Sequence, residues 1–408
     1  MSFLRNYLNK IKPKFEKDGK LHAFHSLFDG FETFLYVPNK TAKMGVHIHD
    51  AIDSKRIMSV VVIALIPALL FGMYNVGYQH FAAASVKLAD TTILSEASFF
   101  TLFFYGFFAV LPKILVSYIV GLGIEFAWAQ WKHEEIQEGF LVSGILIPMI
   151  VPVNCPLWIL AVAVAFAVII GKEIFGGTGM NIFNPALVCR AFLFFAYPTM
   201  MSGDKVWVAS DTIFGMGYSL NTVLADGKVD AYTQATPLAQ IGQGATPDAE
   251  FCDMITGLIP GSIGETSVIA IAIGALILLI TRIASWKTML SVFVGGALMA
   301  LLFNAINMDA NEYPAAATPW YEHLVLGGFC FGAVFMATDP VTSCRTETGK
   351  YIYGFLIGVM AVVIRVMNPG YPEGMMLAIL LMNMFAPTID HFIVERNISK
   401  RLKRGSNS

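Results

Sequence analysis

Charge is what this 408-residue chain has least of: Lys, Arg, Asp and Glu make up 14% of it and nearly cancel, leaving a formal net charge of -2. No basic field is available to hold nucleic acid. Cysteine is also scarce. Cys155, Cys189, Cys252, Cys330 and Cys344 are widely spaced and form no C-x-x-C, which argues against an iron–sulfur cluster, a structural zinc or a disulfide framework. Any redox work must therefore use another carrier. No G-x-G-x-x-G opens a βα unit, and there is no phosphate loop and no G-x-S-x-G elbow. The chain thus brings neither a dinucleotide site nor a nucleotide hydrolase of its own. The first fifty residues are charged and lack the apolar core of a cleavable signal.

What is present is hydrophobicity: 56% of the residues are apolar, with 32 Phe and 20 Met, and the mean hydropathy is +0.63. A spanning helix needs roughly 20 mostly apolar residues, so the expected fold is an all-α polytopic membrane protein with about ten transmembrane helices. The apolar runs are Ile57 to Tyr78, about Phe99 to Trp131 with an interruption at Pro112-Lys113, and Phe140 to Gly171. Further runs are Pro185 to Tyr197, Ser267 to Thr281, Met289 to Ile306, Leu324 to Thr338, Ile352 to Val366 and Met375 to Ile389. The Phe140 to Gly171 run is too long for one span. Its prolines at 148, 152 and 156 predict a tight helical hairpin split near Asn154.

Lys and Arg near span ends favour the cytoplasm. Lys132, Lys172, Arg282, Lys287, Arg345 and Lys350 fall on one side, whereas the loop from about 198 to 266 has two lysines against eight acids. The expected organisation is a cytoplasmic amphipathic segment over 1–56, a transmembrane domain over 57–390 with an outer, periplasmic loop at 198–266, and a basic cytoplasmic tail over 391–408.

Two places read as broken helices. Gly176-Gly177-Thr178-Gly179 leads to Asn184, a good N-cap, and Pro185 at the first helical position. At Thr338-Asp339-Pro340 the same cap-then-proline pattern recurs after Gly327-Gly328-Phe329-Cys330-Phe331-Gly332. Paired interruptions point to an internal repeat, and half-helix ends inside a bilayer make polar sites for ions or anionic ligands. Glu125 lies within an apolar stretch, where a carboxylate is a functional candidate; it can also snorkel toward Lys132. Gly121 and Gly123 allow close approach of a helix or a flat ligand. Asp339 and Asp390 sit at span ends, where Asp339 can cap a helix and Asp390 can pair with Arg396. Arg190, one or two turns past Pro185, calls for a carboxylate or an anionic group nearby, or for an aqueous cavity to which it can snorkel. His47-Ile48-His49-Asp50 reads as a solvated turn before the first span.

The loop stretch Asp230-Ala231-Tyr232-Thr233-Gln234-Ala235-Thr236-Pro237 reads physically as an exposed turn. Taken with Lys172-Glu173-Ile174-Phe175-Gly176-Gly177-Thr178-Gly179, Ile259-Pro260-Gly261-Ser262-Ile263-Gly264-Glu265, Met336-Ala337-Thr338-Asp339-Pro340 and Tyr371-Pro372-Glu373-Gly374, it resembles the B subunits of sodium-pumping NADH:quinone oxidoreductases over nearly the whole chain. The D subunits of Rnf electron-transport complexes are related. The resemblance implies FMN joined through its phosphate to Thr236, with Asp230 and Thr233 completing the motif and Gln234 where Gly is usual. A rival Gly244-Ala245-Thr246 has Gln240 in the Asp position. Noncovalent riboflavin is implied at Asn181 and Asn184, a quinone region at Gly121, and sodium handling at Glu125, Asp339 and Asp390. The implied fold is urea-transporter-like, with inverted repeats and two broken half-helices. The implied partners are the other subunits of the complex, ubiquinone, Na+ and a flavin transferase, with NADH oxidised on another subunit, in a bacterial inner membrane and with both termini cytoplasmic. The contrasting expectation, from architecture alone, is a passive channel or solute transporter.

Overall fold

A computed structural model of the protein describes residues 2–15, 28, 45, 54–88, 90, 92–132, 139–201, 206–223, 229–231, 235–306, 308–309, 312–368 and 373–405. A short helix α1 (Ser2–Ile11) is followed by α2 (Ser54–Lys87), α3 (Phe99–Lys132), α4 (Phe140–Ile150), α5 (Leu157–Gly171) and α6 (Pro185–Ala196). A long connection then carries the antiparallel strands β1 (Asn221–Val223) and β2 (Val229–Ala231) and the helix α7 (Pro237–Gly242). Next come α8 (Val268–Ile280), α9 (Trp286–Ile306), α10 (Trp320–Val325), α11 (Phe329–Phe331) prolonged by a π-helical turn Gly332–Met336, α12 (Glu347–Met367) and α13 (Met375–Gly405). Six of these, α2, α3, α5 with its 3-10 continuation, α9, α12 and α13, are long and apolar enough to cross a membrane, and α4, α6 and α8 are shorter apolar helices. The protein is a polytopic membrane protein. Of its spans, α2, α3, α5 and α9 have no distinct polar side, as expected where one face meets lipid and the other meets protein.

The order reads as two sets of five: α2 to α6, then α8, α9, α11, α12 and α13. In each set the third member is short and its end is broken. The first members of the two sets run antiparallel, because Gly72 abuts the Ile263 carbonyl while Gly274 abuts the Ala64 carbonyl. Small residues let these backbones touch. Antiparallel first members are what an inverted repeat requires.

One face of the bundle gathers the basic connections. Lys287 at the start of α9 pairs with Glu347 at the start of α12 (2.5 Å), and Asp390 of α13 accepts from the Arg345 N–H (2.7 Å). The opposite face carries the long connection. There the Asn154 amide donates to Val208 O (2.8 Å), Tyr105 donates its hydroxyl to Asp211 O (2.7 Å), and Lys87 bonds Leu220 O.

Four expectations change. The stretch from Phe99 to Trp131 is one helix, with Pro112 inside α3; a membrane helix tolerates the single lost hydrogen bond where neighbours and local adjustment satisfy the freed carbonyl. The chain does leave the helix near Asn154, but α4 and α5 form no hairpin. Each packs on α3 and α6 instead, because Val151 and Pro156 are extended and Asn154 is tied to the long connection. The run Leu324 to Thr338 is divided at Gly327, whose φ of +62° suits glycine alone at little strain. Finally, no helix starts at Pro340. The second half-helix ends at its break, and α12 begins only at Glu347, capped by Thr346. His47-Ile48-His49-Asp50 lies outside the described residues. The basic stretch from 391 continues α13 as helix to Gly405.

Candidate functional site

The first break is built as the sequence predicts. Gly176, Gly177 and Gly179 hold φ of +112°, +89° and +95°, a left-handed run that side chains resist. Asn181 locks it by accepting from the Gly179 N–H (3.2 Å) and donating to Phe183 O (2.8 Å). Asn184 then caps α6, its Oδ1 accepting from the Ala186 N–H (3.0 Å), with Pro185 at the first helical position.

The second break meets the first. Asp339 closes a turn by accepting from the Val341 N–H (3.2 Å) and the Thr342 hydroxyl (3.0 Å), and it also accepts from Asn184 Nδ2 (3.3 Å). Around this contact lies a small cavity of about 60 Å³ that opens into a wider cleft, lined by Val142, Leu146, Leu278 and Phe335 and by the polar Lys172, Thr178, Asn181, Asn184 and Asp339. The Thr178 hydroxyl is buried and has no hydrogen-bond partner among the described residues.

Glu125 lies close to the same edge. It is buried and pairs with the buried Lys172, and so does not snorkel toward Lys132. Its second oxygen, Oε2, has no hydrogen-bond partner among the described residues. One turn earlier Gly121 is covered by the Phe140 ring at the start of α4, whereas Gly123 faces open space.

Arg190 finds its carboxylates: Nη1 donates to Glu265 (2.5 Å) and Nη2 pairs with Glu373. Neither glutamate is singled out by sequence reasoning, yet both fall in the motif stretches, and the intramembrane arginine was the signal that such partners exist. This cluster joins α6 to both ends of the second repeat, with Gly328 closed against the Glu265 carboxylate. Arg365, near the C-terminal end of α12, donates to the carbonyls of His323 (2.6 Å) and Leu326 (3.1 Å).

Asp390 stands apart from the cleft-lining residues. It does not pair with Arg396. Both oxygens are engaged by the Arg345 N–H, the Thr346 N–H (3.1 Å) and the Thr346 hydroxyl (2.5 Å), which brace the start of α12. Thr236 is half-buried and caps α7, accepting from the Ala239 N–H (3.2 Å). Asp230 lies on β2 opposite Thr222; Thr233 and Gln234 lie outside the described residues. Gln240, in the Asp position of the rival stretch, is bonded twice to Asp248 (2.8 and 3.0 Å).

The cleft sets apolar side chains beside amides, a lysine and an unpaired hydroxyl, the kinds of group that face the rings and the edge of a planar heterocycle. Thr236 offers a hydroxyl whose proton is not used by its cap. The class of molecule is thus a multi-pass membrane protein of inverted repeats whose two breaks share one polar cleft. Residues 41–399 match the NQR2, RnfD, RnfE family, and the chain belongs to that family. Its relatives include a protein of Chromohalobacter salexigens named as the B subunit of Na(+)-translocating NADH-quinone reductase, 48% identical over 98% of this chain and 96% of the relative. Proteins of the same name in Pseudomonas aeruginosa and Azotobacter vinelandii are 45% and 44% identical, each over 98% of this chain and 99% of the relative.

Proposed function

We propose that this chain is a membrane subunit of a sodium-translocating NADH:ubiquinone oxidoreductase, passing electrons through flavins to ubiquinone and coupling that flow to sodium export. The observation that carries the reading is the meeting of Asn184 and Asp339: one cleft brings the flavin-binding and the ion-handling candidates into contact. The near-full-length identity to proteins of that name supports it.

In this reading Thr236 holds FMN through a phosphoester, with Asp230 and Thr233 supporting the attachment made by a separate flavin transferase. Asn181 and Asn184 hold riboflavin, with Thr178 available to it. Bound flavins supply one- and two-electron carriage, which the chain's thiols and carboxylates do not. Glu125 and Asp339 handle sodium, exchanging it against Lys172 and the Asn184 amide respectively. Asp390 contributes by fixing the turn at 345–346. Gly121 admits Phe140 and so shapes the quinone region. NADH is oxidised on another subunit, the protein sits in the bacterial inner membrane, and segments 1–56 and 391–408 face the cytoplasm. A passive solute channel would have no use for the acceptor motif ending at Thr236.

Sodium uptake into vesicles bearing the whole complex, driven by NADH, tests the ion role. Glu125→Gln and Asp339→Asn are expected to abolish uptake and sodium stimulation of quinone reduction while bound flavin stays near the native amount. Equal loss of flavin and uptake in both variants would overturn it.

A further inference from the structure

Helix α1 plays no part in the reading above, and its pattern differs from that of every spanning helix. Helical spacing sets positions 3, 4, 7, 8 and 11, occupied by Phe3, Leu4, Tyr7, Leu8 and Ile11, along one side. Asn6, Asn9 and Lys10 on the other side are exposed. Tyr7, on the apolar side, is itself 58% exposed. The first fifteen residues contain Arg5, Lys10, Lys12 and Lys14 and no acid; the first is Glu16. A 3-10 turn with Pro13 stops the helix after ten residues.

Two physical consequences follow. A ten-residue helix is below the length, about 12–15 residues, at which a helix is even marginally stable in water, so its apolar side needs a cover. The cover must also suit an acid-free cluster of cations. Protein interfaces are depleted in lysine, whereas an amphipathic helix with Lys and Arg on its polar side and Phe, Leu and Ile on the other suits an anionic lipid surface. The start of α2 lies at the basic end of the bundle, so α1 is tethered to the face where such charges gather.

We propose that α1 lies in the headgroup layer of the membrane, its 3-4-7-8-11 side at the acyl boundary and its basic residues against anionic phospholipid headgroups. The test uses the full chain in nanodiscs of phosphatidylcholine, with and without phosphatidylglycerol. The exposed Cys252 is replaced (Cys252→Ser), and single cysteines from Asn6→Cys to Ile11→Cys carry an environment-sensitive fluorophore. With phosphatidylglycerol, labels at 7, 8 and 11 are expected to shift to the blue and be quenched by nitroxide lipids, and labels at 6, 9 and 10 to be quenched by iodide. Omitting phosphatidylglycerol, raising salt, or the triple change Lys10→Glu, Lys12→Glu and Lys14→Glu should reduce lipid quenching at position 8 to the level at position 6. Uniform iodide quenching at all six positions would overturn the proposal. So would a pattern indifferent to lipid charge and salt, and so would labels at 7, 8 and 11 shielded from both quenchers, which would mark a protein partner.

Discussion

The Asn184 side-chain amide donates to the Asp339 carboxylate across 3.3 Å, joining residues 155 positions apart and holding the glycine-rich stretch before α6 against the turn that follows α11. Each partner is also tied to its own turn: Asn184 to the Ala186 N–H, Asp339 to the Val341 N–H and the Thr342 hydroxyl. A change at either therefore reaches both halves of the bundle.

Asn184→Ala removes a helix cap and the bridge to Asp339. Loss of the cap alone costs about 0.5–2 kcal/mol. Asn184→Ser keeps a capping oxygen and loses only the bridge, so its melting temperature should lie nearer the native value. Both variants should retain less noncovalent flavin, measured by acid release from purified protein; native flavin content in both would contradict a cleft site at Asn184.

Arg190 neutralises Glu265 and Glu373 in a buried setting. Arg190→Met should destabilise by about 3–5 kcal/mol, because it strands buried carboxylate charge. Adding Glu265→Gln should recover part of that loss. Thermal unfolding in detergent of both singles and the double checks this; strictly additive losses would show that the pair is not coupled.

Gly121 and Gly123 separate by surroundings. A methyl at Gly121 strikes the Phe140 ring, and one at Gly123 meets nothing within 4 Å. Gly121→Ala should cost about 1–3 kcal/mol through overpacking, whereas Gly123→Ala should stay within about 0.5 kcal/mol of native. Urea or thermal unfolding of the two side by side distinguishes them.

Much of this was legible in the residues. The spans announced themselves by length and composition, and the Asn184-Pro185 start of α6 followed from cap chemistry that acts over three residues. Asp339 was found for a reason that proved local in another way: the same Asx chemistry that caps helices also closes turns, and only packing decides which. Long-range pairing was the illegible part. That Glu125 would meet Lys172 rather than Lys132, or Arg190 would take Glu265 and Glu373, depends on how α3, the end of α5, α6 and the segments before α8 and α13 come together, and no periodicity records it. The partners of Asp390, two backbone N–H groups and the Thr346 hydroxyl of another segment, were illegible for the same reason: such groups have no sequence signature.

The most direct test of an electron-carrying role concerns Thr236. The chain is produced together with its flavin transferase, separated on a denaturing gel and viewed under ultraviolet light beside a Thr236→Val control. A fluorescent native band with a dark control band is the predicted result. A native band no brighter than the control would contradict covalent flavin on this chain, and with it the reading of Thr236 as the FMN acceptor.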